Sequence, residues 1–195
     1  MSVADHRRLS ARGPWSGGGR EDRAEWRAWP ANVRIGILGP LEMRVGFAEP
    51  VEVVGPRLRR LLVRLALDPD RMVLASQLVD AVWGEEPPAA TANALQSLAS
   101  RLRRLLPDQV ESHPAGYRLA LDPEAVDAVR FENLALAGRE ELRRDPRRAA
   151  SMLREALALW RGPALADAAE ADFAAAARDP CRPGHRRRRR WCGGR

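Results

Sequence analysis

The stretch "TANALQSLASRLRRLL", residues 91–106, restricts the fold more than any other part of the chain. Leu95, Leu98, Leu102 and Leu105 recur at the spacing of one helical face, so the segment reads as a helix packed on one side only. At about 100° per residue, Asn93, Gln96, Ser97, Ser100 and Arg104 fall opposite that stripe, flanked by Arg101 and Arg103. A solvated face usually mixes acids with bases to gain i,i+4 pairs. Here no acid occurs between Glu86 and Asp108. Asn and Gln amides match adenine edges, Arg matches guanine O6 and N7, and Ser hydroxyls and peripheral Arg suit phosphate oxygens. An ordinary solvated face remains the competing reading of this helix taken alone. Its neighbours decide between them.

Upstream, "VRIGILGPLEMRVG" from Val33 reads as a strand, a Gly39-Pro40 turn and a second strand, and "VEVV" at 51–54 as a third. From Pro56, "PRLRRLLVRLAL" presents Leu58, Leu61, Leu62, Leu65 and Leu67 on one side, with Pro56 suited to a first helical turn. "DPDRMV" breaks that helix. "ASQLVDAVWG" predicts a second, with Ser76 as N-cap, Leu78, Val79 and Val82 inward, and Gly84 as the stop. The leucine-striped helix then begins near Ala89. After Pro107, "VESHPAGYRLAL" predicts a β-hairpin with a tight Pro114-Ala115-Gly116 turn that Gly116 permits. Three strands, three helices and a hairpin, closing near residue 122, is the order of a winged helix-turn-helix.

Two helical runs follow. The first, "DAVRFENLALAGREELRR", presents Val129, Phe131, Leu134 and Leu142 and breaks at Asp145-Pro146. The second, "PRRAASMLREALALW", presents Ala149, Met152, Leu153, Ala156, Leu157 and Trp160 and ends at Gly162-Pro163. Antiparallel amphipathic helices with small residues at their crossing form one helical-repeat unit, whose outer face cannot bury itself. "PALADAAEADFAAAARD" is expected to begin a further helix. At Pro180 the composition turns abruptly to "PCRPGHRRRRRWCGGR". This tail, 180–195, and the leader, 1–32, read as disordered. Trp15, Trp26 and Trp29 leave room for a short docking motif in the leader. Val33 is the expected natural start, and the tail is expected to derive from a shifted frame or a truncated gene.

The net charge of +7 does not by itself argue for nucleic acid. Residues 33–122 carry 11 Arg and 11 acids, whereas residues 181–195 carry 7 Arg and no acid, which accounts for the whole net value. Every basic residue is arginine; without lysine there is no Walker A loop, no Schiff base and no lysine general base. His6, His113 and His185 lie in the leader, the hairpin turn and the tail, none beside a Ser or Cys in a nucleophile setting. Cys181, His185 and Cys192 lack zinc-like spacing, and two cysteines make no disulfide framework. No run approaches the roughly 18 apolar residues of a membrane span, and with no apolar h-region near residue 1 no signal peptide is expected. The expectation is therefore a cytoplasmic protein without enzymatic activity, cofactor or metal, and without a membrane partner.

"VWG" ending the second helix, "SRLRRLL" ending the third and "GYRL" in the hairpin, after the N-terminal strands, resemble the OmpR-type winged-helix DNA-binding domain. "NALQSLASRLRRLL" with "RFENLALAG" and "AASMLREALALWRGPAL" is similar, more specifically, to the SARP/AfsR family of transcriptional activators, over about residues 33–178. The resemblance implies a mainly α fold with small β. Residues 33–122 would form an OmpR-type winged helix-turn-helix, and 123–179 a partial all-α, TPR-like transcriptional activation domain. It implies a sequence-specific activator that binds promoter repeats, with a secondary-metabolite gene cluster as a candidate target. In that role the third helix reads double-stranded promoter DNA through Asn93, Gln96, Ser97 and Ser100, with Thr91 at its start among the DNA-binding residues. Arg101, Arg103 and Arg104 mainly hold phosphates. The wing tip, from His113 to Gly116, approaches the adjacent minor groove or backbone, although it lacks the arginine common in OmpR-type wings.

Arg118 either contacts phosphate or braces the hairpin, with bracing favoured, and Tyr117 and Trp83 read as packing. Glu85 and Glu86 either meet RNA polymerase, as their place before the recognition helix implies, or form a solvated loop. The family's use of direct repeats implies a homo-oligomer on DNA. The leader is too short for a receiver domain, so phosphorelay control is not expected. Two alternatives stand beside this reading. One is a partner-binding helical-repeat protein whose winged helix is only structural. The other is a decayed regulator whose Arg-rich tail binds nucleic acid non-specifically.

Overall fold

The computed structural model describes residues 33–46 and 49–178. The leader, the tail, and with them the tryptophan motif and the Cys181, His185 and Cys192 group, lie outside the described residues. The chain opens with two antiparallel strands, β1 (Val33–Gly36) and β2 (Glu42–Val45), in the register Val33 opposite Val45 and Ile35 opposite Met43. Ile35, Ile37 and Met43 are fully buried and form one wall of the core.

The third strand expected at "VEVV" does not form. The segment runs beside β2 with a single backbone bond, Val51 N–H to Met43 O at 2.7 Å. Arginine side chains take the carbonyls that a ladder would use: Arg59 Nε donates to Val53 O at 2.7 Å and Arg101 Nη2 to Val54 O at 3.1 Å. Those two carbonyls are therefore satisfied by side chains and not by a neighbouring strand.

Helix α1 (Pro56–Ala66) starts on its proline and buries Leu58, Leu61, Leu62 and Leu65, so its period was legible. "DPDRMV" is more than a breaker. Its end forms β3 (Met72–Leu74), which turns only Val73 inward, and a three-residue strand is too short to declare itself by alternation. Helix α2 (Ala75–Trp83) follows directly, so Ser76 lies inside it rather than capping it. Gln77 Oε1 instead accepts from Leu74 N–H at 3.3 Å, and Gly84 ends the helix at φ +60°. Helix α3 (Thr91–Leu105) buries Leu95, Leu98, Ala99 and Leu102 against α1 and α2. Strands β4 (Val110–His113) and β5 (Gly116–Leu119) make the hairpin, and the second sheet runs β3-β5-β4, all antiparallel.

After a 3-10 turn at Pro123–Ala125, Val126 bridges Ile35 in parallel. Helices α4 (Asp127–Glu141) and α5 (Pro146–Ala158) then form an antiparallel pair, in which Asp145 caps α5 by accepting from Arg147 and Arg148 N–H at 3.0 Å. Small residues line the crossing. A Cβ at Gly138 would stand 2.9 Å from Leu153 Cγ, and Ala135, Ala149 and Ala156 are buried. Leu142, expected inward, is instead 49% exposed, because the close crossing is made by alanine and glycine. The further helix expected after Pro163 is reduced to a 3-10 turn (Ala166–Ala168) and the short α6 (Asp172–Arg178). This segment does not extend a helical stack. Leu165, Ala168 and Ala174 return to the core of the winged helix, with the 3-10 turn packed on α1.

Two carboxylates secure that return. Asp127, buried, accepts from Ile37 N–H at 2.8 Å and Leu38 N–H at 3.0 Å and pairs with Arg161 Nη2 at 3.1 Å. Asp167 accepts from Leu41 N–H and pairs with Arg59 Nη1 at 2.9 Å. Burial pushes the Asp127 carboxyl above the ordinary carboxylate range, and the two amides and Arg161 only partly counter it.

Asp127→Ala leaves two buried amides and Arg161 without their acceptor, and should lower the unfolding free energy in urea by about 3 kcal/mol. The pH dependence has a definite sign. A raised folded pKa means that the folded chain takes up a proton before the unfolded chain does, so this contribution is greatest below the unfolded value and is lost as pH rises through the folded one. The stability advantage of the wild type over Asp127→Asn should therefore grow as pH falls toward about 4. A difference that shrinks over that interval would show that the charged form is the one the fold favours.

Candidate nucleic-acid interface

Helix α3 is gripped from behind and free in front. Its leucines pack on α1 and α2, and Leu106 and Val110 continue the buried side into the hairpin. On the opposite side Asn93, Gln96, Ser97, Arg101 and Arg104 are exposed, and Ser100 is half-exposed. Among the described residues, the side chains of Asn93, Gln96, Ser97 and Arg104 have no hydrogen-bond or ion-pair partner. Short amides and hydroxyls thus stand in a row along one face, with their donors and acceptors unspent.

The remaining residues singled out from the sequence fall into different settings. Thr91, at the helix start, donates its hydroxyl to Pro88 O at 2.5 Å, which fixes the loop entering α3. Arg101 donates to Val54 O and so lies beside the loop before α1. Arg103 turns toward the wing: Nε donates to Val110 O at 2.8 Å and Nη2 to Ser112 Oγ. His113 is exposed at the wing tip, opposite Gly116. Arg118 is engaged, its Nε and Nη2 donating to Glu111 Oε2 at 2.9 and 2.7 Å and its Nη1 to Asp70 at 3.3 Å. Those ion pairs raise the Arg118 pKa still further. Glu85 and Glu86 are both exposed in the loop joining α2 to α3. Trp83 and Tyr117 pack against the core.

Gly116 differs from its expected role. It does not have a positive φ; what demands glycine is β3, since a Cβ there would stand 2.0 Å from Val73 O. The sequence held no sign of this, because the third strand was itself unseen. Also unforeseen were the bonds from Arg103 to Val110 and Ser112, since helical periodicity places Arg103 only beside the polar face and says nothing of what it meets.

A helix-turn-helix with a three-stranded wing, bearing an unsatisfied polar helix face and joined to a helical pair, defines a winged-helix regulator. The chain matches the family described as "Transcriptional regulatory protein, C terminal" over residues 50–119, and the "Bacterial transcriptional activator domain" over residues 126–187. Together the two matches, in this order, support a SARP-type regulator. It is 40% identical to the transcriptional regulator RedD of Streptomyces coelicolor over 147 residues, 71% of this chain and 42% of that protein. It is also 40% identical to the regulatory protein AfsR of the same organism over 139 residues, 69% of this chain and 14% of AfsR. The chain thus spans less than half the length of either relative. A solved structure of Mycobacterium tuberculosis EmbR in complex with a low-affinity phosphopeptide superposes with a TM-score of 0.70 at 30% identity, covering 75% of this chain and 40% of that one.

Gly116→Ala should force β3 from β5 and destabilise the chain by about 2 kcal/mol. Chemical denaturation checks it, and a neutral outcome would mean that β3 moves aside freely.

Proposed function

We propose that the chain is a sequence-specific DNA-binding transcriptional activator, reading promoter repeats with α3 and helping to recruit RNA polymerase. What carries this reading is the face of Asn93, Gln96 and Ser97: exposed, unpaired among the described residues, and backed by a fixed leucine stripe. Ser100 joins that row, Arg101 and Arg104 reach phosphates at its end, and His113 approaches the backbone beside it. Thr91 sets the helix start. Glu85 and Glu86 offer an acidic loop to the polymerase, and paired protomers occupy successive repeats. The division of labour is 33–122 for DNA and 123–179 for activation, with the helical part braced against the N-terminal sheet. No helix among the described residues is long and apolar enough to cross a membrane. The reading places the protein in the cytoplasm, acting without a cofactor and by binding rather than catalysis. The match to a bacterial transcriptional activator domain supports activation, with a secondary-metabolite gene cluster as the candidate target.

A second reading has one observation in its favour. Leu157 and Trp160 are 65% and 44% exposed on the helical pair, a surface suited to a partner protein.

Fluorescence anisotropy of the full chain on direct-repeat DNA from its own gene neighbourhood, against scrambled DNA, separates the two. Asn93→Ala or Gln96→Ala should cost about 1–3 kcal/mol of discrimination. Arg104→Ala should weaken both DNAs alike and flatten the slope of log affinity against log salt by about 0.9. Equal losses on promoter and scrambled DNA for both amide variants would leave the second reading in front.

A further inference from the structure

We infer that Arg103 is a positioning residue, not a phosphate contact: it fixes the wing against the recognition helix so that both meet DNA in one set geometry. This rests on the proposed function and assigns one residue a role within it.

Arg103 occupies the last turn of α3, where the groove-facing helix passes into the hairpin. Among the described residues Arg104, one position on, keeps its whole fork free, and Arg101 spends only Nη2, on Val54 O. Arg103 is only half-exposed, and its fork is already spent on the first wing strand, through the Val110 carbonyl at one end of β4 and the Ser112 hydroxyl two residues along. Val110 and Ser112 share a face of β4, and Ser112 stands opposite Tyr117, which packs on the core. The guanidinium therefore spans the inner side of the wing where it leaves the helix.

The outer side has its own tie. Glu111 and Arg118 face each other across β4 and β5, and Arg118 continues to Asp70 ahead of β3. Two arginines thus hold the wing from opposite faces, but only Arg103 reaches it from the reading helix. A planar fork bridging two acceptors fixes angle as well as distance, which an ammonium on a flexible stem does not. With the wing angle set beforehand, binding need not order the hairpin at the moment of contact.

The test uses the full chain with Arg103→Ala, Ser112→Ala, the double variant, and Arg104→Ala as the phosphate-contact reference. Arg103→Ala should bind promoter DNA about tenfold more weakly, with the salt slope kept, whereas Arg104→Ala loses about 0.9 of it. Ser112→Ala, at an exposed position that does not threaten folding, should cost affinity alone yet add less than about twofold in the Arg103→Ala background. Without DNA, amide hydrogen exchange in Arg103→Ala should rise across Val110–Leu119 and stay unchanged in α1. A shallower salt slope with unchanged wing exchange would overturn the inference and return Arg103 to the phosphates. Additive losses from the two substitutions, or exchange that rises throughout the chain, would equally overturn it. Absence of promoter preference in the wild type would instead overturn the proposed function, and the exchange comparison, which needs no DNA, would still decide whether Arg103 holds the wing.

Discussion

The Asp127 carboxylate stands where three parts of the chain meet. Its oxygens accept the amides of Ile37 and Leu38, which leave β1 pointing inward with no strand beyond to receive them. Arg161, arriving from the far end of α5, closes the site and reaches on to Pro40 O at 2.9 Å and Glu42 at 3.1 Å. Remove the carboxylate and the N-terminal sheet loses its acceptor, the start of α4 its anchor and the Arg161 segment its counter-charge. A buried carboxyl is tolerable only when its oxygens are met by donors, and here each oxygen has one, which offsets part of the cost of burial.

This junction changes what the helical pair is. Both of its ends, the start of α4 and the segment after α5, are tied to the same sheet, and the chain then runs back across α1 to bury Leu165, Ala168 and Ala174. The winged helix borrows part of its core from beyond residue 122. Helix α3 is held by leucines against α1 and α2, which share that core, so the reading face is set on a body that includes the helical region. Orientation of the polar row thus depends on packing some distance away in sequence.

Much of this was legible beforehand because it is local. The four leucines of α3 and the apolar period of α1 each complete two or more turns, enough for a 3.6-residue repeat to stand out from chance. Pro56, Gly84 and Pro107 mark element ends through constraints of their own backbones. The hairpin carried its turn within a few residues of its alternating strands. Bracing was the favoured reading of Arg118, and the acidic partner it meets, Glu111, lies across the same hairpin. The small residues of the α4–α5 crossing were likewise visible as a pattern, although Leu142 and Leu157 were placed on the wrong side of it.

The amino-acid sequence on its own determined the long helices and the hairpin, the buried side of α1 and α3 and the polar row of Asn93, Gln96, Ser97 and Ser100, since each follows from spacing along one stretch of chain. Tertiary structure alone decided what depends on residues far apart in sequence. It made "VEVV" an arginine-satisfied segment rather than a strand, formed β3 from an apparent breaker and required Gly116 for the approach of Val73. It also turned Arg103 from the helix face to the wing, and buried Asp127 under amides 89 and 90 residues away. The physical reason is the same in each case. A hydrogen-bond donor or a close contact has no period; its partner is chosen by where the folded chain brings an acceptor, and no local repeat encodes that place.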